Sequence, residues 1–256
     1  MRLYPTRLVM LVICAPLAVL VGVVLAGDPP APPPLSKVMP ATDLIAQVDL
    51  CLTGCREALA DAPSYMEKSR QVARDAHTLA ALALVLAKHD QDHRLTASSP
   101  DLLAASRQLA KAKDYEAAKT AFAAVESAAQ GKSTGAAAAP QWEKVAGLGQ
   151  LMKQVTFVNN RLKRNMRRFD ERKDDNARDA AVLAAIAQAA NYDTHEVKDP
   201  ADIDKWYQLC GEMRDAAGDV NAQIHAGDKA KAEAALANLG KSCETCHETF
   251  RVRTSP

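Results

Sequence analysis

Ile203, Trp206, Cys210, Met213, Ala217, Val220 and Ile224 follow one another at spacings of 3, 4, 3, 4, 3 and 4. On a helix these positions form one unbroken apolar seam, and on a strand they scatter over both faces. Pro200 and Asp202 supply a start and Gly227 a stop. The pattern returns after Gly227 at Ala232, Leu236, Leu239, Cys243, Cys246 and Phe250. Upstream, Leu148, Leu151, Val155, Val158, Leu162 and Phe169 write a third seam. Leu183, Ile186, Ala187 and Ala190 write a fourth behind Asp174, Asp175 and Asn176. No stretch beyond residue 40 alternates like a strand, and aromatic residues are 4% of a chain that is 48% hydrophobic. The apolar content is therefore mostly alanine and aliphatic, which favours helix. The expected fold class is all-α, and four amphipathic helices with short links suit an antiparallel four-helix bundle over residues 145–256.

A weak repeat points to a second bundle. Ala73-Arg74-Asp75-Ala76 is echoed by Ala177-Arg178-Asp179-Ala180, each ahead of an alanine and leucine run, and Pro100-Asp101 parallels Pro200. The expected organisation is a duplication, with residues 41–130 a degenerate helical bundle and residues 131–144, rich in Gly, Ser and Ala up to Pro140, a linker. Residues 1–26 carry Arg2 and Arg7 ahead of an uncharged run from Leu8 to Ala26. That is an export signal, so the expected location is periplasmic; left uncut, residues 8–26 would be a membrane tether. Residues 27–40 form a proline-rich spacer. Lys+Arg 32 against Asp+Glu 31 excludes holding nucleic acid by bulk positive charge.

Chemistry concentrates near the C-terminus, in Cys243-Glu244-Thr245-Cys246-His247. Two cysteines three apart share a helix face and can each add to one vinyl group of a porphyrin, while the adjacent imidazole faces the iron. The rival readings are weaker. A redox dithiol normally opens a helix in an α/β setting, and zinc would want two further ligands nearby. One covalent haem c is expected, on Cys243 and Cys246, with His247 as the iron ligand. The matching segment of the first half, residues 126–133, contains no Cys or His, so that half should hold none.

The sequence Cys243-Glu244-Thr245-Cys246-His247-Glu248-Thr249-Phe250-Arg251, on the last of four helices, resembles the class II cytochromes c, the cytochrome c-prime family. The resemblance covers residues 145–253 and implies His247 as proximal ligand, followed by an aromatic residue, Phe250, and a basic one, Arg251. It implies either an electron carrier with a methionine as sixth ligand or a five-coordinate iron that binds NO or CO, and it leaves a homodimer open.

Geometry narrows the sixth ligand. In an antiparallel bundle the end of the fourth helix meets the start of the first and third. Met152 sits at that end, whereas Met166 is about 21 Å further along the helix and Met213 about two turns into its own. Met152 therefore either binds the iron or packs against the porphyrin edge. Trp206, Leu209 and Tyr192 are expected as pocket wall, and Arg251 or Lys153 as a propionate partner or an ordinary solvated charge.

The function expected is electron transfer with an unidentified redox protein. No nucleophile, base and oxyanion donor converge in the sequence, so no enzyme is expected. A further reading makes the first half a partner-binding scaffold. Cys51, Cys55 and Cys210 are expected as core thiols, and His77, His89, His93, His195 and His225 as surface or capping residues. The basic run Arg161, Lys163, Arg164, Arg167, Arg168, Arg172 and Lys173 is a solvated helix face or a docking site for an acidic redox partner.

Overall fold

The structure, a computed structural model, describes residues 27, 29–135 and 137–251. The export and tether readings of residues 1–26 lie outside the described residues. Within them the regular structure is entirely helical: α1 (Ala41–Ala58), α2 (Ala62–Ala87), α3 (Ser99–Lys111), α4 (Tyr115–Ala129), α5 (Leu148–Asn165), α6 (Lys173–Ala190), α7 (Ile203–His225) and α8 (Lys229–Phe250).

Local chemistry accounts for most of the boundaries. Asp61, Asp114 and Asp228 each accept a hydrogen bond from a backbone N–H in the first turn of α2, α4 and α8, at 2.7, 2.8 and 3.0 Å. Prolines sit in the first turns of α2 and α3, where no donor is lost. α7 ends before Gly227, whose φ of +73° admits glycine at no steric cost and turns the chain into α8. α5 tightens into a 3-10 turn at Met166–Arg168, so Phe169 falls beyond the helix although it is buried.

Consecutive helices pack on one another within each half: α1 to α4 in the first, α5 to α8 in the second. The halves also share a surface, with α1 lying on α6 and α2 on both α5 and α6. One apolar core runs through both, from Leu44, Leu79 and Leu82 to Leu183 and Ile186. α6 is consequently buried almost all round, from Ala180 to Ala190 without a break. Its alanines let neighbouring helices approach from several sides, and Leu79 to Leu86 of α2 are enclosed in the same way. Leu35 and Met39, at the end of the proline-rich segment, are buried as well.

Polar contacts tie the halves. Asp43 at the start of α1 accepts a hydrogen bond from Asn221 Nδ2 at 2.7 Å, and His225 Nε2 lies 2.8 Å from the same oxygen. Gly218 of α7 lies under Val38 so closely that a Cβ there would meet its backbone oxygen at 3.0 Å. Among the described residues no helix is long and apolar enough to cross a membrane.

Candidate functional site

The seam of α8 begins with the buried Ala232, Leu236 and Leu239 and continues through Cys243 and Cys246 to Phe250. Cys243 packs against the large core. Cys246, one turn on, joins a second, smaller apolar cluster. That cluster gathers the start of α5 (Leu148), the end of α6 (Ala190), the start of α7 (Trp206, Leu209, Cys210) and the end of α8 (Phe250). Trp206 meets Phe250 edge to face at 5.2 Å between centroids, and its indole N–H donates to the Ala190 carbonyl at 3.1 Å. Met152 and Val197 pack against the cluster from the side, and Met152 touches the large core too.

Of the residues singled out in the sequence, the structure brings Met152, Trp206, Leu209, Cys246 and Phe250 into one apolar group, with Cys243 one turn above. His247 is exposed beside Cys246, and among the described residues nothing hydrogen-bonds its ring. Partial burial, with Arg251 beside it, moves the imidazole below its ordinary value. Both thiols are free, and burial pushes each up, so they are protonated near neutrality. Arg251 is exposed and closes α8 through its backbone N–H to the His247 carbonyl. Tyr192 stacks its ring on Trp142, 5.4 Å away and nearly parallel, two residues beyond Ala190 of the small cluster. Lys153 points into a cleft between α2 and α5.

The start of α5 is held by a residue that sequence reasoning missed. Asp193, in the turn after α6 and only 2% exposed, accepts from the Leu148 N–H at 3.0 Å and from Lys144 Nζ at 2.8 Å, with His195 Nδ1 2.7 Å away. Burial pushes this carboxyl up, but Lys144, His195 and the Leu148 N–H together outweigh it and hold it below the usual carboxylate value. The clasp fixes the start of α5, one turn ahead of Met152. No local pattern announces it, because its main partners lie more than forty residues away.

The other cysteines and histidines take structural places. Cys51 is buried with its thiol pushed up to about 12, Cys55 is raised further by burial, and Gln47 Nε2 donates to Cys51 Sγ at 3.2 Å. His89 and His93 lie 5.7 Å apart with their Nε2 atoms near the Met39 and Leu86 carbonyls. Among the described residues no group of three or more His, Cys, Asp and Glu is placed to hold a metal ion. Arg161, expected on a solvated face, instead reaches the fully buried Asp179 with two hydrogen bonds of 2.8 and 2.5 Å.

The donor set on α8 suits covalent haem. Two thiols face inward on successive turns against an apolar wall, and an uncommitted imidazole lies beside the second. Residues 198–251, from the turn before α7 to the end of α8, match the family model described as Cytochrome C'. The match contains Cys243, Cys246 and His247 and leaves Met152 and the first half outside it. Comparisons with curated proteins and with solved structures give no match.

Proposed function

We propose that this is an exported c-type cytochrome that carries one covalent haem at the end of α8 and passes electrons to and from a redox protein. One observation carries the reading. Cys246 faces into an apolar group built from four helix ends, and Met152 packs into the same group from α5. When bound, the haem supplies a one-electron ferric/ferrous couple. Cys243 and Cys246 hold it through thioether bonds, and His247 offers an imidazole nitrogen to the iron from the exposed side. Trp206, Leu209 and Phe250 exclude water, which disfavours the more highly charged oxidised state and raises the potential. Met152 would offer a thioether sulfur to the iron from α5.

The proposal extends to the architecture. Residues 145–251 form the haem-carrying four-helix bundle and residues 41–130 a degenerate copy without haem. In support, each half contributes four consecutive helices, and the two Arg-Asp repeats fall in the second helix of each half, α2 and α6.

The test is the pyridine haemochrome spectrum together with the intact mass of matured protein. One haem per chain is the expected result, and bare polypeptide without Soret absorbance overturns the reading. Met152→Ala then decides the coordination. A low-spin spectrum that becomes high-spin identifies Met152 as ligand. A wild-type spectrum already high-spin and shifted by NO means that Met152 only packs, and the protein is then a gas-binding cytochrome.

A further inference from the structure

A cleft of about 730 Å³ opens between α2, the turn after α3 and the first turns of α5. Arg70 and Arg74 enter it from successive turns of α2, Lys113 from the α3–α4 turn and Lys153 from α5, and no carboxylate is among the residues lining it. What sets the cleft apart is the convergence of four cations on one partly enclosed space; other surface arginines lie beside carboxylates, as Arg56 does with Glu126, Arg94 with Asp49 and Arg107 with Glu143. Among the described residues Arg70, Lys113 and Lys153 make no ion pair. Arg74 has a loose one, 3.6 Å from Asp75; its Nε lacks a hydrogen-bond partner, and its guanidinium lies over the Phe157 ring at 4.8 Å. The floor is apolar, with Val72 and Leu109, and Gln150 adds an amide from α5.

Four like charges around a partly enclosed, partly apolar space repel one another more strongly than they would in open water. An anion that fills the space adds an attraction to each cation, which offsets that repulsion. Arginines one turn apart also suit the paired oxygens of a carboxylate or phosphate. The volume lies within the range of small-molecule sites and exceeds what one inorganic phosphate needs.

We propose that this cleft binds a small polyanion bearing two or more carboxylate or phosphate groups. The site joins the halves, since three of its cations come from the first and Lys153 from the second. It is independent of the haem reading.

The experiment uses the full chain in low-salt buffer free of phosphate, titrated calorimetrically with pyrophosphate, with citrate and with an acidic hexaglutamate peptide. The visible spectrum of each sample is recorded separately, so that a failure here is distinct from a failure of the haem reading. Saturable 1:1 binding of pyrophosphate or citrate is expected, and which of the two binds separates phosphate from carboxylate recognition. Lys113→Ala/Lys153→Ala, at two exposed positions, should weaken it by about tenfold or more. Lys163→Ala/Arg164→Ala, on the exposed basic run, should change it by less than roughly twofold. No saturable binding of either small anion, or equal weakening by the two double variants, overturns the proposal. Binding of the peptide alone also overturns it, in favour of a protein docking surface.

Discussion

Asp75→Asn should make this protein more stable above neutrality, although it removes a charged residue from the middle of a helix. Asp75 is 6% exposed on α2, and burial raises its carboxyl from 3.8 to about 6, against the opposing pull of Arg74, Gln71 and Arg161. The reason lies across the α1–α2 interface. There Gly54 faces it, with room limited by Gln71 Nε2, which a Cβ would meet at 2.8 Å. Asp179, in the second Arg-Asp repeat, faces Arg161 across the α5–α6 interface and receives two hydrogen bonds from it. Because the folded value of Asp75 lies above the unfolded one, the folded state holds this proton more tightly. The contribution of Asp75 is therefore most favourable at low pH and is lost as pH rises from 3.8 through 6. At about 1.4 kcal/mol per pKa unit the full cost is about 3 kcal/mol, and asparagine would recover about 1 to 3 kcal/mol of it at pH 8, since Arg74 keeps its place over the Phe157 ring. Urea unfolding followed by circular dichroism at pH 4, 6 and 8 tests this. The advantage of Asp75→Asn should grow between pH 4 and 7 and then level off. A variant that is less stable at pH 8, or equally stable at every pH, refutes the argument.

Three other substitutions follow from the geometry. Asp193→Ala uncaps α5 and strands Lys144, and should cost about 1 to 3 kcal/mol in urea unfolding at pH 7. Its folded carboxyl lies below the unfolded 3.8, so the stabilisation is present above that value and the cost should fade as pH drops below about 4. Arg161→Met leaves Asp179 with only Arg178 at 3.4 Å and should lower the unfolding free energy by about 3 to 5 kcal/mol. Adding Asp179→Leu should return much of that loss, a non-additivity that a double-mutant cycle measures. Gly218→Ala would drive a Cβ to 2.5 Å from Val38 Cγ1 and 3.2 Å from its Cα, so a melting temperature lowered by several degrees is expected, through about 1 to 3 kcal/mol of overpacking.

The elements most legible in the sequence were those whose information is local. The seams of α7 and α8, with Pro200 before them and Gly227 between, state their own period and limits, and the attachment motif is a spacing rule that needs no tertiary context. α6 was legible as a helix but not as a nearly enveloped one, because an alanine run carries little contrast between faces. Arg161 was read with its charged neighbours as solvated. Its position between Val158 and Leu162, both fully buried, was the available signal that it lies at the edge of the core. The ring partner of Tyr192, Trp142, was not legible, because it comes from a stretch that composition marked as linker. Asp43 and Asp193 gave little signal, since Asn221 and His225 lie 178 and 182 residues from Asp43, and of the partners of Asp193 only His195 is local.

The way the halves meet bears on what the first one does. α1 lies on α6 and α2 on α5 and α6, so the two halves meet through the first two helices of each. The face so covered is not a rim. Ala180, Ala184 and Ile186 of α6 have no exposed surface, and the same core continues through Leu79 and Leu82 of α2. A chain cut at residue 140 would leave that alanine face in water, and it would free the side of α5 that α2 now covers. α5 carries Met152, so the half without an attachment motif is part of what holds the proposed sixth ligand in place. A partner-binding scaffold that merely hangs from the haem unit would be removable without effect on the spectrum. The shared core argues the opposite: residues 141–256 alone should either associate through α5 and α6 or lose helicity by circular dichroism. A monomeric, fully helical fragment with an unchanged haem spectrum would show that the first half is dispensable to the site.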